Sequence, residues 1–401
     1  MINKKLKELI YNDEEKIIEQ RRHLHQNPEL AMEEKETNDF IKKELESYGL
    51  TVTQLDPTGL IAEINPDSDG KTVLLRADFD ALPIEETNDF DFKSKNAGKS
   101  HACGHDTHTA MLLAATRALI EIKDELPGTV RLLFQPGEET GDGGKAVVKQ
   151  GVTKGVDSGF AIHIFTNIPL GYAATGYDQV MAGNYFFEVN FKGKSAHGST
   201  PYDGNDAIVM LNTFINGANG AMARKVDALN EPIVLNYGTI SGGSVANAVA
   251  SDANLTASFR FFTNESADKF LKELQEIADS SAKLYGGSAE FTYNQGAGPV
   301  INEKTSTDTA VKVAKELFGD DHVKTDLKVT GSEDFGFLLA GYEDFEGMPG
   351  SYMIIGAMNP DDPSTFPKNH AQDFNPDEKA FKDGALLLAQ YAYEFLNQDD
   401  K

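Results

Sequence analysis

The densest chemistry in the chain lies in His101-Ala102-Cys103-Gly104-His105-Asp106-Thr107-His108, which holds three of the nine histidines and the only cysteine. Imidazole and thiolate side by side are the donors that a borderline-soft divalent ion takes from a protein. A lone cysteine forms no internal disulfide, so its neighbours define its job. Taken alone, the octad also fits an inert packed cysteine beside solvated histidines. Other polar residues fall at comparable places. Asp78 and Asp80 follow an apolar run at 72–77, Glu138 and Glu139 follow one at 128–134, and His163 closes one at 159–164. His370 lies shortly before the last helical stretch. Paired acids in a loop are usually solvated, and a histidine ending an apolar strand is usually a hydrogen-bonded core residue. Their joint occurrence at equivalent strand ends is what chance explains poorly.

This mixture suits amide hydrolysis assisted by two metal ions. Two divalent ions about 3.5–4 Å apart can hold a hydroxide at neutral pH and polarise a carbonyl. Each needs about three protein donors and an open position. Cys103, His105, Glu139, His163 and His370 supply five. A further carboxylate, off the metals, must take the proton from water and pass it to the leaving amine. Glu138 and Glu139 can divide these duties because consecutive loop residues point differently.

The positioning elements read as a mainly parallel α/β sheet flanked by helices. Helices are expected at 5–24, 33–49, 106–120 and 144–150, and strands at 50–55, 60–64, 72–77, 128–134 and 159–164. Cys103 and His105 would lie on the loop entering helix 106–120. In such sheets, sites gather just past the carboxyl ends of strands. The character changes near Ala182. Strands at 185–192, 233–241, 251–262 and 288–293, with helices at 205–223 and 266–285, follow the order βαββαβ of a ferredoxin-like domain. The α/β pattern resumes with helix 306–317, strand 351–356 and helix 377–396. We therefore expect a discontinuous catalytic domain, 1–181 and 295–401, carrying an inserted small domain, 182–294.

A chain of 401 residues exceeds what one core usually supports. Its net charge of −26 repels phosphate backbones and argues against nucleic acid. It has no apolar run near the roughly 20 residues of a membrane span, no signal-like start and one cysteine. A cytoplasmic protein without a membrane partner is the expectation.

Six landmarks occur in order along nearly the whole chain: Arg21-Arg-His-Leu-His-Gln-Asn-Pro-Glu29, Arg76-Ala-Asp-Phe-Asp-Ala-Leu-Pro83, the octad 101–108, Gln135-Pro-Gly-Glu-Glu139, Gly193-Lys-Ser-Ala-His197 and Gly331-Ser-Glu-Asp-Phe335. With them the chain resembles the aminoacylase/carboxypeptidase superfamily of binuclear metallopeptidases (peptidase family M20). Within it the chain is most similar to the amidohydrolase branch of hippurate hydrolases and N-acyl-amino-acid amidohydrolases. The resemblance implies two divalent ions per subunit (zinc, manganese, cobalt or nickel) on Cys103, His105, Glu139, His163 and His370, with Cys103 between them. Glu138 would be the general base and acid. The small domain would be a lid used for dimerisation, making the protein a homo-oligomer. His197 would stabilise the oxyanion, commonly from the partner subunit. Asn247 would contact substrate. Arg260 would pair with a substrate carboxylate or make a structural salt bridge.

Two features depart from the wider superfamily. Asp78 stands where the dipeptidase branches place a ligand histidine, which puts Asp80 behind the ligands rather than among them. Gly137 replaces a common alanine. His101 and His108 are read as structural, His322 as surface, and His23 and His25 as non-catalytic. The leading reading is a hydrolase that cleaves N-acyl amino acids by attack of a metal-bound hydroxide. A dipeptidase or aminopeptidase is the alternative, with Glu333 or Asp334 anchoring a free amine. N-acetyldiaminopimelate deacetylase is another, and a non-catalytic binding protein on the same fold is a third.

Overall fold

In a computed structural model, which describes residues 1–398, the amphipathic stretch at the amino terminus forms two helices rather than one. They are α1 (Lys4–Asn12) and α2 (Glu14–Gln26). Asp13 breaks them at φ −96°, ψ 6°, and its carboxylate pairs with Arg117. The hydrophobic period continues across the junction, which hides the break from the sequence. There follow α3 (Lys35–Ser47), β1 (Val52–Gln54), β2 (Leu60–Ile64), β3 (Thr72–Asp78), α4 (His105–Ile120) and β4 (Thr129–Gln135). Next come α5 (Asp142–Lys149), β5 (Ser158–Pro169), β6 (Ala173–Ala174) and β7 (Asp178–Met181). A second group is β8 (Gly183–Lys192), α6 (Ala207–Lys225), β9 (Val234–Gly242), β10 (Asp252–Phe261), α7 (Asn264–Leu284) and β11 (Ser288–Ala297). The chain ends with β12 (Val300–Asn302), α8 (Lys304–Phe318), β13 (Val323–Lys324), α9 (Phe335–Ala340), β14 (Gly350–Met358) and α10 (Lys379–Leu396).

Two compact units emerge. The larger comprises Met1–Val180, Val300–Val329 and the chain from Glu333 on; the smaller comprises Met181–Pro299 and Thr330–Ser332. The larger holds an eight-stranded sheet in the order β1-β2-β4-β3-β5-β14-β6-β13. Its centre is parallel, β4 to β3 to β5 to β14. These strands read as apolar runs because both faces are covered: Leu75, Phe160 and Met353 share one core with Met111 of α4 and Leu388 of α10. Strand β5 outlasts its expected end at 164. Register with β14 continues from Ile354↔His163 to Met358↔Pro169, so His163 lies within the strand and not at its end.

The smaller unit is a four-stranded antiparallel sheet in the order β11-β8-β10-β9. That is the ferredoxin-like strand order. Phe187, Val189, Phe191 and Phe259 pack against Phe214 of α6 and Leu274 of α7. Alternate residues Glu188, Asn190 and Asn254 form a polar network elsewhere on the same strands, the period-two pattern of a sheet with one apolar face. No helix among the described residues is long and apolar enough to cross a membrane.

Candidate metal centre

His105 is the first residue of α4, one position earlier than expected. Gly104 permits this start. It sits at φ 95°, and a Cβ there would meet Ile164 Cδ1 at 2.9 Å. The Thr107 hydroxyl donates to the Gly104 carbonyl at 2.6 Å and closes the turn. Cys103 and His105 thus flank a tight turn at a helix N-terminus.

The donors then converge. Cys103 Sγ lies 3.3 Å from His163 Nε2. His163 Nδ1–H donates to the Ile164 carbonyl at 2.8 Å, which leaves the Nε2 lone pair facing the sulfur. His105 is oriented likewise: Nδ1 meets Asp80 Oδ1 at 3.1 Å, and Nε2 is buried without a partner. That Nε2 lies 3.9 Å from both Glu138 Oε2 and Glu139 Oε1. Glu139 Oε1 is buried and unpartnered too, 3.6 Å from His370 Nε2. Asp80 accepts the Glu139 N–H through its other oxygen at 3.0 Å, so one carboxylate fixes both a ring and a backbone. The donor atoms of Cys103, His105 and His163 all lie within 4.8 Å of one another, as do those of Cys103, Glu139 and His370. Cys103 is common to both sets.

His108 stands in a similar group with Asp78 and His105, but its nitrogens are spent. Nδ1–H donates to Asp78 at 2.6 Å and Nε2 accepts the Ile164 N–H at 3.0 Å.

The electrostatics describe a site short of positive charge. Burial, then Glu333 and Asp334, push the Glu138 carboxyl well above its usual range. Burial raises Glu139 to about 7 and, together with Glu139, drives the Cys103 thiol up. A cation inverts this logic: it ionises a coordinating thiol and lets both carboxylates stay charged. Each orphaned buried atom also costs about 1–3 kcal/mol until something fills it. On both counts the residues present fit divalent ions.

Glu138 and Glu139 ride a short 3₁₀ turn after Gly137, which is left-handed at φ 61°. The Gly137 N–H donates to buried Glu34 at 2.9 Å, and a Cβ there would strike Met32 Sδ at 2.5 Å. Glycine therefore suits this chain where alanine serves elsewhere. The Asp334 N–H reaches Glu138 Oε1 at 3.3 Å. Behind it, Arg76 contacts Asp78 at 2.5 Å, Glu333 at 2.9 Å, Asp334 at 2.8 Å and the Gln135 amide oxygen at 3.0 Å. Glu333 and Asp334 are 2% and 1% exposed and committed to Arg76. The expectation that either could anchor a substrate amine is corrected here.

Arg76 and Gln135 stand in the sequence landmarks without an assigned role, and Asn369 escaped the sequence reading altogether. Arg76 had a signal, because arginine in an otherwise apolar strand is buried only when paired. Asn369 donates to the carbonyls of Cys103 and Ile164 but looks like an ordinary turn residue.

In the smaller unit, a backbone bridge joins His197 to Ala248 and the Gly198 N–H donates to the Asn247 carbonyl, which brings His197 and Asn247 together. Both are exposed. His197 Nδ1 accepts the Ser199 N–H at 3.1 Å, so Nε2 carries the proton. Arg260 Nη1 is spent on the Thr330 carbonyl and the Ser332 hydroxyl, both at 2.8 Å. His101 is buried with neither ring nitrogen partnered, and burial lowers it to about 4. His25 lies between Asp106 and Glu86, while His23 packs tilted against Phe40 and His322 stacks on Tyr172.

A mainly parallel α/β sheet with thiolate, imidazole and carboxylate donors converging from several segments is the architecture of a metal-dependent hydrolase. Residues 74–394 match the model of Peptidase family M20/M25/M40, and the chain belongs to that family. It is 36% identical to Thermostable carboxypeptidase 2 of Saccharolobus solfataricus, over 98% of this chain and 99% of that one. It is 34% identical to N-acetyl-L-cysteine deacetylase of Bacillus subtilis, over 97% and 90%. Among solved structures it resembles a dinuclear metal-binding peptidase of the M20 family from Bacillus subtilis, with TM-score 0.80, 29% identity and coverage of 96% and 99%.

Proposed function

We propose that this chain hydrolyses the amide bond of N-acyl amino acids, releasing a carboxylate and a free amino acid. The observation that carries the reading is the pair of orphaned atoms, His105 Nε2 and Glu139 Oε1, beside a carboxylate held by a backbone amide. Cys103, His105, Glu139, His163 and His370 would hold two divalent ions, Cys103 being common to both donor groups; zinc, manganese, cobalt and nickel all suit such donors. When bound, the ions acidify water and polarise the scissile carbonyl. Glu138 takes the proton from the attacking water at Oε2 while Oε1 stays on the Asp334 N–H. It then returns that proton to the leaving nitrogen. Asp80 keeps the His105 ring in the tautomer that presents Nε2. His197, with its proton on Nε2, is assigned to the developing oxyanion in the site of a partner subunit, and we assign Asn247 to substrate contact. Arg260, tied to residues 330 and 332, is a weaker candidate for the substrate carboxylate.

The names of the relatives support the substrate class. A carboxypeptidase and an N-acetylcysteine deacetylase both release a free amino acid from an amide nitrogen. The burial of Glu333 and Asp334 speaks against the aminopeptidase alternative, which needs an acid at the substrate ammonium. The test is hydrolysis of N-acetyl and N-benzoyl amino acids, N-acetyldiaminopimelate and dipeptides, after chelation and after return of Mn²⁺, Zn²⁺, Co²⁺ or Ni²⁺. Metal-restored cleavage of an acylated amino acid is expected. Cleavage of free-amine dipeptides alone would move the chain to the peptidase reading.

A homodimer through the smaller unit is part of the proposal. Strand β9 is a sheet edge, and its Val234 and Ile240 are exposed, as are nearby Ile208 and Val245. An exposed apolar edge strand is a template for pairing with a second copy. Ile240→Lys is expected to convert the dimer to monomer by light scattering, whereas Ile240→Val leaves it dimeric. A dimer that survives the lysine places the interface elsewhere. A reducing cytoplasm suits the single cysteine.

A further inference from the structure

We infer that the side-chain amide of Asn369 is the positioning group that fixes His370 and so sets how tightly the second ion is held; the inference rests on the two-ion reading above. The five donors are not equally secured. Cys103, His105 and His163 are buried, and the two rings are oriented by Asp80 and by the Ile164 carbonyl. His370 is different. Its side chain is half exposed, at 54%, and its backbone lies in the left-handed region at φ 71°. A residue other than glycine held there costs roughly 1–3 kcal/mol and persists only when its surroundings over-determine it.

Asn369 supplies much of that constraint. Its Nδ2 donates to the Cys103 carbonyl at 3.0 Å and to the Ile164 carbonyl at 3.1 Å. Each acceptor belongs to a segment that carries another donor. Cys103 is itself a donor, and the Ile164 carbonyl already receives His163 Nδ1–H. A fourth bond, from the His370 N–H to the Ala102 carbonyl at 2.7 Å, completes the stitch. One amide thus ties the His370 loop to two of the other donor segments, the Cys103 turn and the His163 strand. Loss of its two hydrogens frees the strained loop and costs the Glu139–His370 side. The Cys103–His105–His163 side keeps its own supports.

The experiment uses the full chain stripped of metal and titrated with Mn²⁺ in a calorimeter, for wild type, Asn369→Ala and Asn369→Asp. Aspartate is isosteric but turns oxygen toward two carbonyls, so it preserves a space-filling role and abolishes a donating one. Wild type is expected to bind in two steps. In both variants the tighter step stays within about threefold while the weaker falls ~10–100-fold, the usual effect of removing a group that orients a ligand. The aspartate variant is at least as damaged as the alanine one, and the metal-free proteins unfold at similar temperatures. An aspartate variant that binds like wild type overturns the inference, and so does equal weakening of both steps. A wild type without two steps removes the two-ion reading and the inference with it, an outcome distinct from either of those.

Discussion

Glu138→Ala is expected to retain both metal ions while kcat falls by ~10²–10⁴-fold, the usual worth of a positioned general base. The argument turns on which oxygens face what. Glu139 Oε1 faces His105 and His370, two imidazoles with donor atoms to offer a cation. Glu138 is held from behind by the Asp334 N–H, with Glu333 and Asp334 around it. A carboxyl among acids is a good acceptor for a proton, since its neighbours and its burial both favour the protonated form. Removing it should therefore cost proton transfer and little binding. KM should change far less than kcat, as expected for an interaction made mainly in the transition state. Cys103→Ala provides the contrast, because it removes the donor common to both groups and should lower metal content before anything else. Metal stoichiometry by plasma mass spectrometry, read beside kcat on an N-acyl amino acid, separates the two. Full activity in Glu138→Ala would dispose of the mechanism; metal loss equal to that of Cys103→Ala would make Glu138 a ligand.

The contrast between these residues and their supports also explains what the sequence discloses. Cys103 and His105 are legible because a turn, Gly104, and a helix start place them within three positions. Glu138 and Glu139 are legible as neighbours, and His163 and His370 by where active sites lie in α/β sheets. What the sequence conceals is long-range. Arg76 and Glu333 are 257 positions apart, and only the fold shows that they touch. Pairing hides β5's true length, because residues after Ile164 remain in the strand only while β14 runs beside them. The break at Asp13 leaves no trace in the hydrophobic period, since buried Ile10 and Ile17 still recur at a helical spacing on either side. Local chemistry is written in neighbouring letters; the second layer that orients it is written in strand register.

That second layer carries the largest stability effect. Arg76 pairs with Asp78, Glu333 and Asp334, all essentially buried, with Glu138 close by. Burial works against charge on every member, yet Arg76 holds Asp78 well below the usual carboxylate range. Arg76→Leu removes that compensation, leaving Glu333 and Asp334 without their cation and Asp78 with only its histidine partners. Breaking a buried ion pair from one side costs about 3–5 kcal/mol, which corresponds to a drop of roughly 6–10 °C in the thermal midpoint of a domain this large. Lysine is not an adequate substitute, because one ammonium cannot reproduce the fork that meets Asp78 through one nitrogen and Glu333 and Asp334 through another. The electrostatic cause can be told from lost packing. Adding Glu333→Gln and Asp334→Asn to Arg76→Leu neutralises two of the three acids and leaves Asp78 its His108 partner; it should recover part of the midpoint, since neutral replacement of buried ionic partners is often tolerated. A single variant that unfolds with wild type would show that the acids need no partner. A triple variant no better than the single would assign the loss to packing around β3.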